Sequence, residues 1–393
     1  MEADSLRREL REIHRRLDSL RAVIERLEAA RSAEPEAESE LAALRAAARS
    51  LVPETPPDTN PEPFVIRSRS LNRLNPEISV TADVRMVGHR PGPQRDNLDI
   101  REFAFAFQSA LDPYSNTKIF ASFGEHGAEV EEAYAYWSGL PGGLRVDLGR
   151  FRQQAGELNR WHLHALPESE FPLAIRTFFG HHGLVGNGLS LYWIAPWTSP
   201  GQGVHEVWGQ VALADNEVLF DNGRSLSVLG HLNNFWQLSR STFMQFGLTG
   251  MYGENPDADL ETRLAAADAR VTVRSPGQAL YRSFTLRAEG FAVRRAAGGR
   301  VVTRHGGYVG AEYRTSRRLY VGGRVDYVEP FEVPDSYAWA VVPHLTWWQS
   351  EWVFLRAEWQ HRADPVLGGG HTNTDRFVLQ VVWSIGPHKH ENY

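Results

Sequence analysis

Residues 78–86 read ISVTADVRM, and their pattern decides the fold. Ile78, Val80, Ala82, Val84 and Met86 fall on one face, with Ser79, Thr81, Asp83 and Arg85 on the other. A period of two is the side-chain period of a β-strand, and so clean a split calls for one apolar and one polar neighbourhood. The split returns downstream. FAFAFQ sets Phe103, Phe105 and Phe107 against Glu102, Ala104, Ala106 and Gln108. RLAAADARVTV sets Asp268 and Arg270 against Ala265, Ala267, Ala269, Val271 and Val273, and WVFLRAEWQH sets Arg356, Glu358 and Gln360 against Val353, Leu355, Ala357 and Trp359.

Such runs recur near 77–88, 98–110, 116–125, 128–138, 143–152, 184–195, 204–214, 225–238, 241–252, 260–273, 280–294, 302–314, 317–329, 336–348, 351–362 and 374–385. Their number is even, and several reach the roughly 9–11 residues that a tilted strand needs to cross a bilayer, where a soluble sandwich uses about 5–6. Connections alternate between short ones (140–143, 239–241, 315–318, 348–351) and longer polar or Gly-rich ones (88–97, 149–188, 214–224, 253–259, 363–374). Trp193, Trp197, Trp208, Trp236, Trp347, Trp348, Trp352 and Trp359 fall near strand ends, where an interfacial girdle would sit. The expected fold is all-β: a transmembrane antiparallel barrel of about sixteen strands. The closing strand FVLQVVWSIG and the terminal Tyr393 suit a barrel-insertion signal or, equally, an ordinary edge strand.

Composition narrows the alternatives. The 393 residues include 12 Trp, 12 Tyr and 19 Phe, yet the mean hydropathy is −0.39. No apolar run approaches the roughly 20 residues of a spanning helix, whereas alternating barrel strands average to a polar composition. A net charge of −6 argues against a nucleic-acid partner. Arginine supplies almost all the positive charge, since Lys118 and Lys389 are the only lysines. With no cysteine, disulfides and thiolate metal sites are excluded. No signal peptide precedes the first charged stretch, so an exported chain is expected to be a mature or trimmed form.

Ahead of the strands, Leu6, Leu10, Ile13, Leu17, Leu20, Ile24 and Leu27 alternate spacings of four and three, the seam of a coiled coil. Leucine at both seam positions suits a trimer; a single helix packed on its own domain is the other reading. An Ala-rich helical stretch near 38–51 precedes VPETPPDTNPEPF (52–64), whose five prolines read as an extended linker. The expected organisation is a helical coiled-coil segment over 1–51, a Pro-rich linker over 52–76 and a barrel over 77–393.

Residues 149–188, GRFRQQAGELNRWHLHALPESEFPLAIRTFFGHHGLVGNG, form the longest connection. A connection of this length usually carries a function. Arg152, Arg160 and Arg176 with Glu157, Glu168 and Glu170 are expected to line a constriction, the segment folding into the lumen. Parity places Asp83, Arg85, Glu102, Asp268, Arg270, Arg287, Glu289, Arg324, Asp326, Arg356 and Glu358 inward, where they either set a transverse field or pair with one another. His162 and His164 have H-x-H spacing, which serves a Zn²⁺ or Cu²⁺ ligand set with carboxylates or hydrogen bonding at a polar rim. His181, His182, His388 and His390 add to the histidine content. No resident cofactor is expected.

With these pieces in place the chain resembles the sixteen-stranded trimeric porins related to the phosphate-selective porins. The likeness is tightest in LRVDLGRFRQQAGELN (144–159), a strand running into Gly-Arg-Phe and a long loop, and in GLSLYWIAPW (188–197), the returning strand. The resemblance implies a passive trimeric diffusion channel whose third loop forms the constriction. The near-absence of lysine departs from phosphate-selective members, so that specificity is not carried over. SIGPHKHENY (384–393) is similar to endings of zinc-regulated TonB-dependent receptor barrels, which carry an N-terminal plug where this chain has a heptad repeat.

No G-x-S-x-G, P-loop or glycine fingerprint opens a helix between strands, so no enzyme is expected. The sequence therefore leads to an outer-membrane porin passing small hydrophilic solutes or ions, surrounded by outer-membrane lipid, homotrimeric, with its coil in the periplasm. A structural tether that uses the coil, and an outer-membrane zinc receptor, are the alternatives.

Overall fold

The structure is a computed structural model that describes residues 76–91, 97–124, 127–196, 203–220, 225–254, 261–274, 277–278, 281–297 and 300–386. The heptad repeat, the Pro-rich stretch and the His388–His390 tail lie outside the described residues.

Sixteen strands make up the described fold: β1 (Glu77–Arg90), β2 (Asn97–Ala110), β3 (Ser115–Gly124), β4 (Gly127–Leu140), β5 (Leu144–Arg152), β6 (Val185–Ile194), β7 (Val204–Leu213), β8 (Leu226–Gln237), β9 (Thr242–Glu254), β10 (Glu261–Arg274), β11 (Ser283–Ala297), β12 (Arg300–Arg314), β13 (Leu319–Val328), β14 (Ala338–Trp348), β15 (Val353–Pro365) and β16 (His371–Ile385). Each pairs with its sequence neighbours, and β1 pairs antiparallel with β16, so the sheet closes. Closure leaves no strand edge unpaired, the condition a sheet must meet to sit in hydrocarbon. Each strand starts and ends within a few residues of its period-two run.

Alternation sorts the two faces as the sequence does. On β1, Ser79, Thr81, Asp83 and Arg85 are buried while Ile78 and Met86 face outward. On β10, Leu264, Ala266 and Asp268 are buried between outward-facing neighbours. The outer face exposes Phe103, Phe105, Leu148, Leu191, Val228, Leu248, Leu286, Val325, Phe377 and Leu379, the apolar surface a bilayer-embedded barrel needs.

Two β-bulges interrupt this parity. The β1–β2 register shifts after Asp83–Glu102, and the β3–β4 register shifts after Phe120–Glu132. A bulge sets two consecutive residues against one partner and re-aims a side chain. Arg101 and Glu102 both reach polar partners within the barrel as a result, as do Glu131 and Glu132.

The rims are less cleanly sorted than the sequence suggests. Strands pair β3 to β4 and β11 to β12 across very short connections on the same rim as the long 153–184 segment. Trp208 also departs from the expected girdle: it lines an interior cavity, because on β7 it shares a parity with the inward Gln210. Trp347, Trp352 and Trp359 are exposed on the outside; Trp197 lies outside the described residues.

Candidate functional site: the segment between β5 and β6

Residues 153–184 contain two 3-10 turns (Leu158–Arg160 and Leu163–Ala165) and one short helix, α1 (Leu173–Phe179). Gly180 ends α1 at φ 87°, a conformation glycine adopts freely, and its N–H donates to the Arg176 carbonyl. Leu158, Leu166, Phe171, Ile175, Phe178 and Phe179 are nearly inaccessible. They share one apolar cluster with Leu229, Met251, Leu264, Phe291, Val293, Val328 and Val342 from the strands. A second short helix, α2 (Glu217–Phe220), adds Leu219 and Phe220. Burial of a Phe or Leu side chain stabilises by about 1.5–3 kcal/mol, so this cluster is a major anchor for a segment poor in regular structure.

A segment with little secondary structure carries backbone N–H and C=O groups that must find partners once buried. Wall charges provide them. The Leu158 N–H donates to Glu289 Oε1 at 2.7 Å, Ser169 N–H to Glu358 Oε2 at 2.8 Å and Leu173 N–H to Asp326 Oδ2 at 3.2 Å. In the other direction Arg356 donates to the Leu166 carbonyl at 2.8 Å, Arg324 to that of Glu170 at 3.1 Å, and Arg101 to that of Ser169. The approach is tightest at Gly156 (φ 77°), where a Cβ would come within 2.3 Å of Glu289 Oε2.

Side-chain ion pairs complete the docking. Glu157 is shared by Arg270 at 2.6 Å and Arg287 at 3.5 Å. Glu168 meets Arg324 at 2.7 Å, and Arg324 also holds Asp326 at 2.7 Å. Glu170 gathers Arg85 (3.4 Å), Arg376 (2.6 Å) and Arg176 of α1. Burial opposes ionisation of Glu170, but the arginines, Arg176 first, outweigh it and hold its pKa far below the usual carboxylate range. Arg152 binds Glu131 and the His182 carbonyl, and Arg160 donates to Gln154 Oε1 at 2.9 Å with its guanidinium 5.6 Å from the Trp208 ring centre.

Of the wall residues placed inward by parity, Asp83 accepts from Gln380 at 2.7 Å and pairs with Arg101, and Asp268 packs beside Gly247. The other inward wall residues, Arg85, Glu102, Arg270, Arg287, Glu289, Arg324, Asp326, Arg356 and Glu358, bond to residues of 153–184. Arg101, Lys118, Glu131, Glu132 and Arg376 also belong to the site. The adjacent pair Glu131-Glu132 inside an otherwise alternating strand is a sequence signal of the bulge that reveals two of them.

His162 lies between those two carboxylates, Nδ1 at 3.1 Å from Glu131 and Nε2 at 3.1 Å from Glu132. Its ring stacks on Phe120 at 3.7 Å between centres. His164 Nδ1 is 2.8 Å from Glu102, and the two imidazoles are nearly parallel, 5.9 Å apart. Burial lowers the His162 pKa, but the two carboxylates more than compensate and raise it. Both His162 nitrogens thus lie within hydrogen-bond distance of a carboxylate, and both can donate when the ring is protonated. Among the described residues no group of three or more His, Cys, Asp or Glu is arranged to hold a metal ion.

Two cavities flank this layer. One, of about 820 Å³, is lined by Glu132, Arg152, Arg160, Trp208, Arg270 and Arg287 among others. The second, of about 610 Å³, is lined by Arg85, Arg101, Glu102, Leu163, Glu170 and Arg176 among others. They have no lining residue in common. The chain of contacts Glu132–His162–Phe120–His164–Glu102 runs from the wall of the first to the wall of the second.

Barrel closure, strand number and outward apolar face define a sixteen-stranded barrel of the architecture found in outer-membrane channels. Its solved likenesses include the anion-selective porin from Comamonas acidovorans (TM-score 0.56, 11% identity, 79% of this chain and 99% of that one). Pseudomonas putida OprB is similar as well (TM-score 0.54, 12% identity, 80% and 95%), as is the outer membrane channel DcaP of Acinetobacter baumannii (TM-score 0.51, 10% identity, 79% and 97%). At these identities the likeness is one of fold. No family model matches the chain. An uncharacterized protein of Aquifex aeolicus (strain VF5) is 38% identical over 114 residues, 28% of this chain. The match spans about a quarter (24%) of that relative's length.

Proposed function

We propose that the chain is an outer-membrane porin, a passive diffusion channel for small hydrophilic solutes or ions, with residues 153–184 as its constriction. The observation that carries this reading is the mixed lining of the 820 Å³ cavity, where Arg160 of the segment joins side chains from strands β4 to β11. A barrel of this strand number is wide enough to leave an aqueous channel unless something narrows it. Here the segment would do so, and solutes would cross beside the His162 layer that separates the two cavities. The heptad repeat would trimerise in the periplasm alongside contacts between barrel walls.

The sign of ion selectivity follows from the lining. The larger cavity presents six arginines (Arg145, Arg152, Arg160, Arg270, Arg274 and Arg287) against three carboxylates (Glu132, Asp147 and Glu206). An excess of fixed positive charge in a confined pore favours anions, and salt screens it. Single-channel recording in planar bilayers tests the reading. Ohmic channels whose zero-current potential in a KCl gradient has the sign of chloride preference are expected. A protein that inserts and conducts nothing overturns the porin reading.

A further inference from the structure

The larger cavity joins two kinds of surface. On one flank, Tyr192 of β6 and Trp208 of β7 are register partners with ring centres 4.7 Å apart. The Tyr192 hydroxyl donates to Glu206 Oε1 at 2.8 Å, which fixes the ring against rotation out of the cavity. Tyr136 of β4 lies on the same flank, stacked under the Arg145 guanidinium at 4.1 Å. On the flank formed by β10 and β11, Arg270 and Arg287 both reach the carboxylate of Glu157, in a lining that carries six arginines against three carboxylates.

We propose that this cavity is a binding site for aromatic carboxylates, compact planar rings that bear one anionic group. The inference rests on reading the barrel as a channel and names the solute class that channel would favour. A volume of about 820 Å³ falls within the roughly 300–1,000 Å³ of small-molecule sites. A neutral polyol would use the ring flank and leave the excess guanidinium charge unanswered. A small inorganic anion would use the arginines alone. A ring with a carboxylate satisfies both at once, its face against Tyr192 and Trp208 and its anion toward Arg270 and Arg287.

Benzoate is the probe, with acetate, benzamide and cyclohexanecarboxylate as controls. Added to a single channel, benzoate should interrupt the current at concentrations where acetate and benzamide do not, and cyclohexanecarboxylate should be intermediate. Trp208→Ala and Tyr192→Ala should each weaken the benzoate block by about three- to tenfold, the worth of an aromatic contact. Arg287→Gln should weaken block by benzoate and leave the response to benzamide as it was. Equal block by benzoate and benzamide, or block untouched by Trp208→Ala, overturns the proposal while leaving the porin reading intact.

A second measurement does not depend on conduction. Refolded protein in detergent should show saturable quenching of tryptophan fluorescence by benzoate, and Trp208→Phe should lose the saturable part. Benzoate titrations that are linear in the parent protein contradict the site directly. Absence of any channel current, with saturable quenching retained, would instead overturn the porin reading and keep the site.

Discussion

Glu157 Oε1 lies 2.6 Å from Arg270 Nη1, joining positions 113 residues apart in the chain. The carboxylate comes from the segment between β5 and β6 and the guanidinium from the inner face of β10. Arg287 reaches the same oxygen from β11 at 3.5 Å. One acid thus offsets two cations at the edge of the larger cavity, and its removal has a predictable sign.

Glu157→Gln removes that negative charge while keeping the side chain's size. The zero-current potential in a KCl gradient should move further toward anion preference, and more so at low salt, where screening is weak. Thermal unfolding should also move to lower temperature, because Arg270 and Arg287 lose the buried carboxylate they share. A shift toward cations would contradict the assignment of this cluster to the ion path.

Arg324 is almost fully buried between Glu168 of the segment and Asp326 of its own strand. Arg324→Ala leaves two buried carboxylates facing each other without a cation, a change that typically costs about 3–5 kcal/mol. The expected result is a lower unfolding temperature by circular dichroism and new proteolytic cleavage within 153–184. Arg324→Lys should recover part of the loss. A melting temperature equal to the parent's would show that the triad contributes nothing to docking.

The His162 clamp predicts a pH dependence. Both imidazole nitrogens donate only in the protonated ring, and the carboxylates raise its pKa above the ordinary value. The stabilisation is therefore complete below the unfolded-state pKa, about 6.5, and is lost as pH rises through the elevated folded value. The groups facing the ring are Glu131 and Glu132 of β4, with Lys118 on Glu132 and Arg152 on Glu131, and Phe120 and His164 beside them. Single channels should be quiet below the raised imidazole pKa and gain current noise or conductance as pH rises through it. His162→Gln should flatten that response. A pH response unchanged in the variant would place the titrating group elsewhere.

Gly156→Ala tests the close approach of backbone to wall. Its Cβ would collide with the Glu289 carboxylate at 2.3 Å, and φ of 77° disfavours any L side chain. The variant should loosen the 153–184 segment, seen as faster amide exchange at Leu158, whose N–H bonds to Glu289. Exchange as slow as in the parent would remove the argument for a tight fit there.

Most of the wall was legible in the sequence because strand parity is local: Ser79, Thr81, Asp83 and Arg85 turn inward wherever their outward neighbours are apolar. Parity fails at a bulge, so Arg101 and Glu131 could not be placed by counting, although each supplies a charge to the site. Counting also put Trp208 with the other strand-end tryptophans, whereas its own parity with Gln210 sends it into the cavity. The partners of the wall charges were the least legible. Glu289, Glu358 and Arg356 bond to backbone groups of 153–184, and backbone atoms leave no mark in a sequence pattern.

The most direct test of the central claim replaces residues 160–176 by a short Gly-Ser linker and compares single-channel currents with those of the parent. If the segment constricts the pore, conductance should rise several-fold and ion selectivity should flatten, because the remaining wall charges stand farther from the permeating ion and are better screened. A variant that inserts normally and conducts like the parent, with the same zero-current potential, would contradict the account.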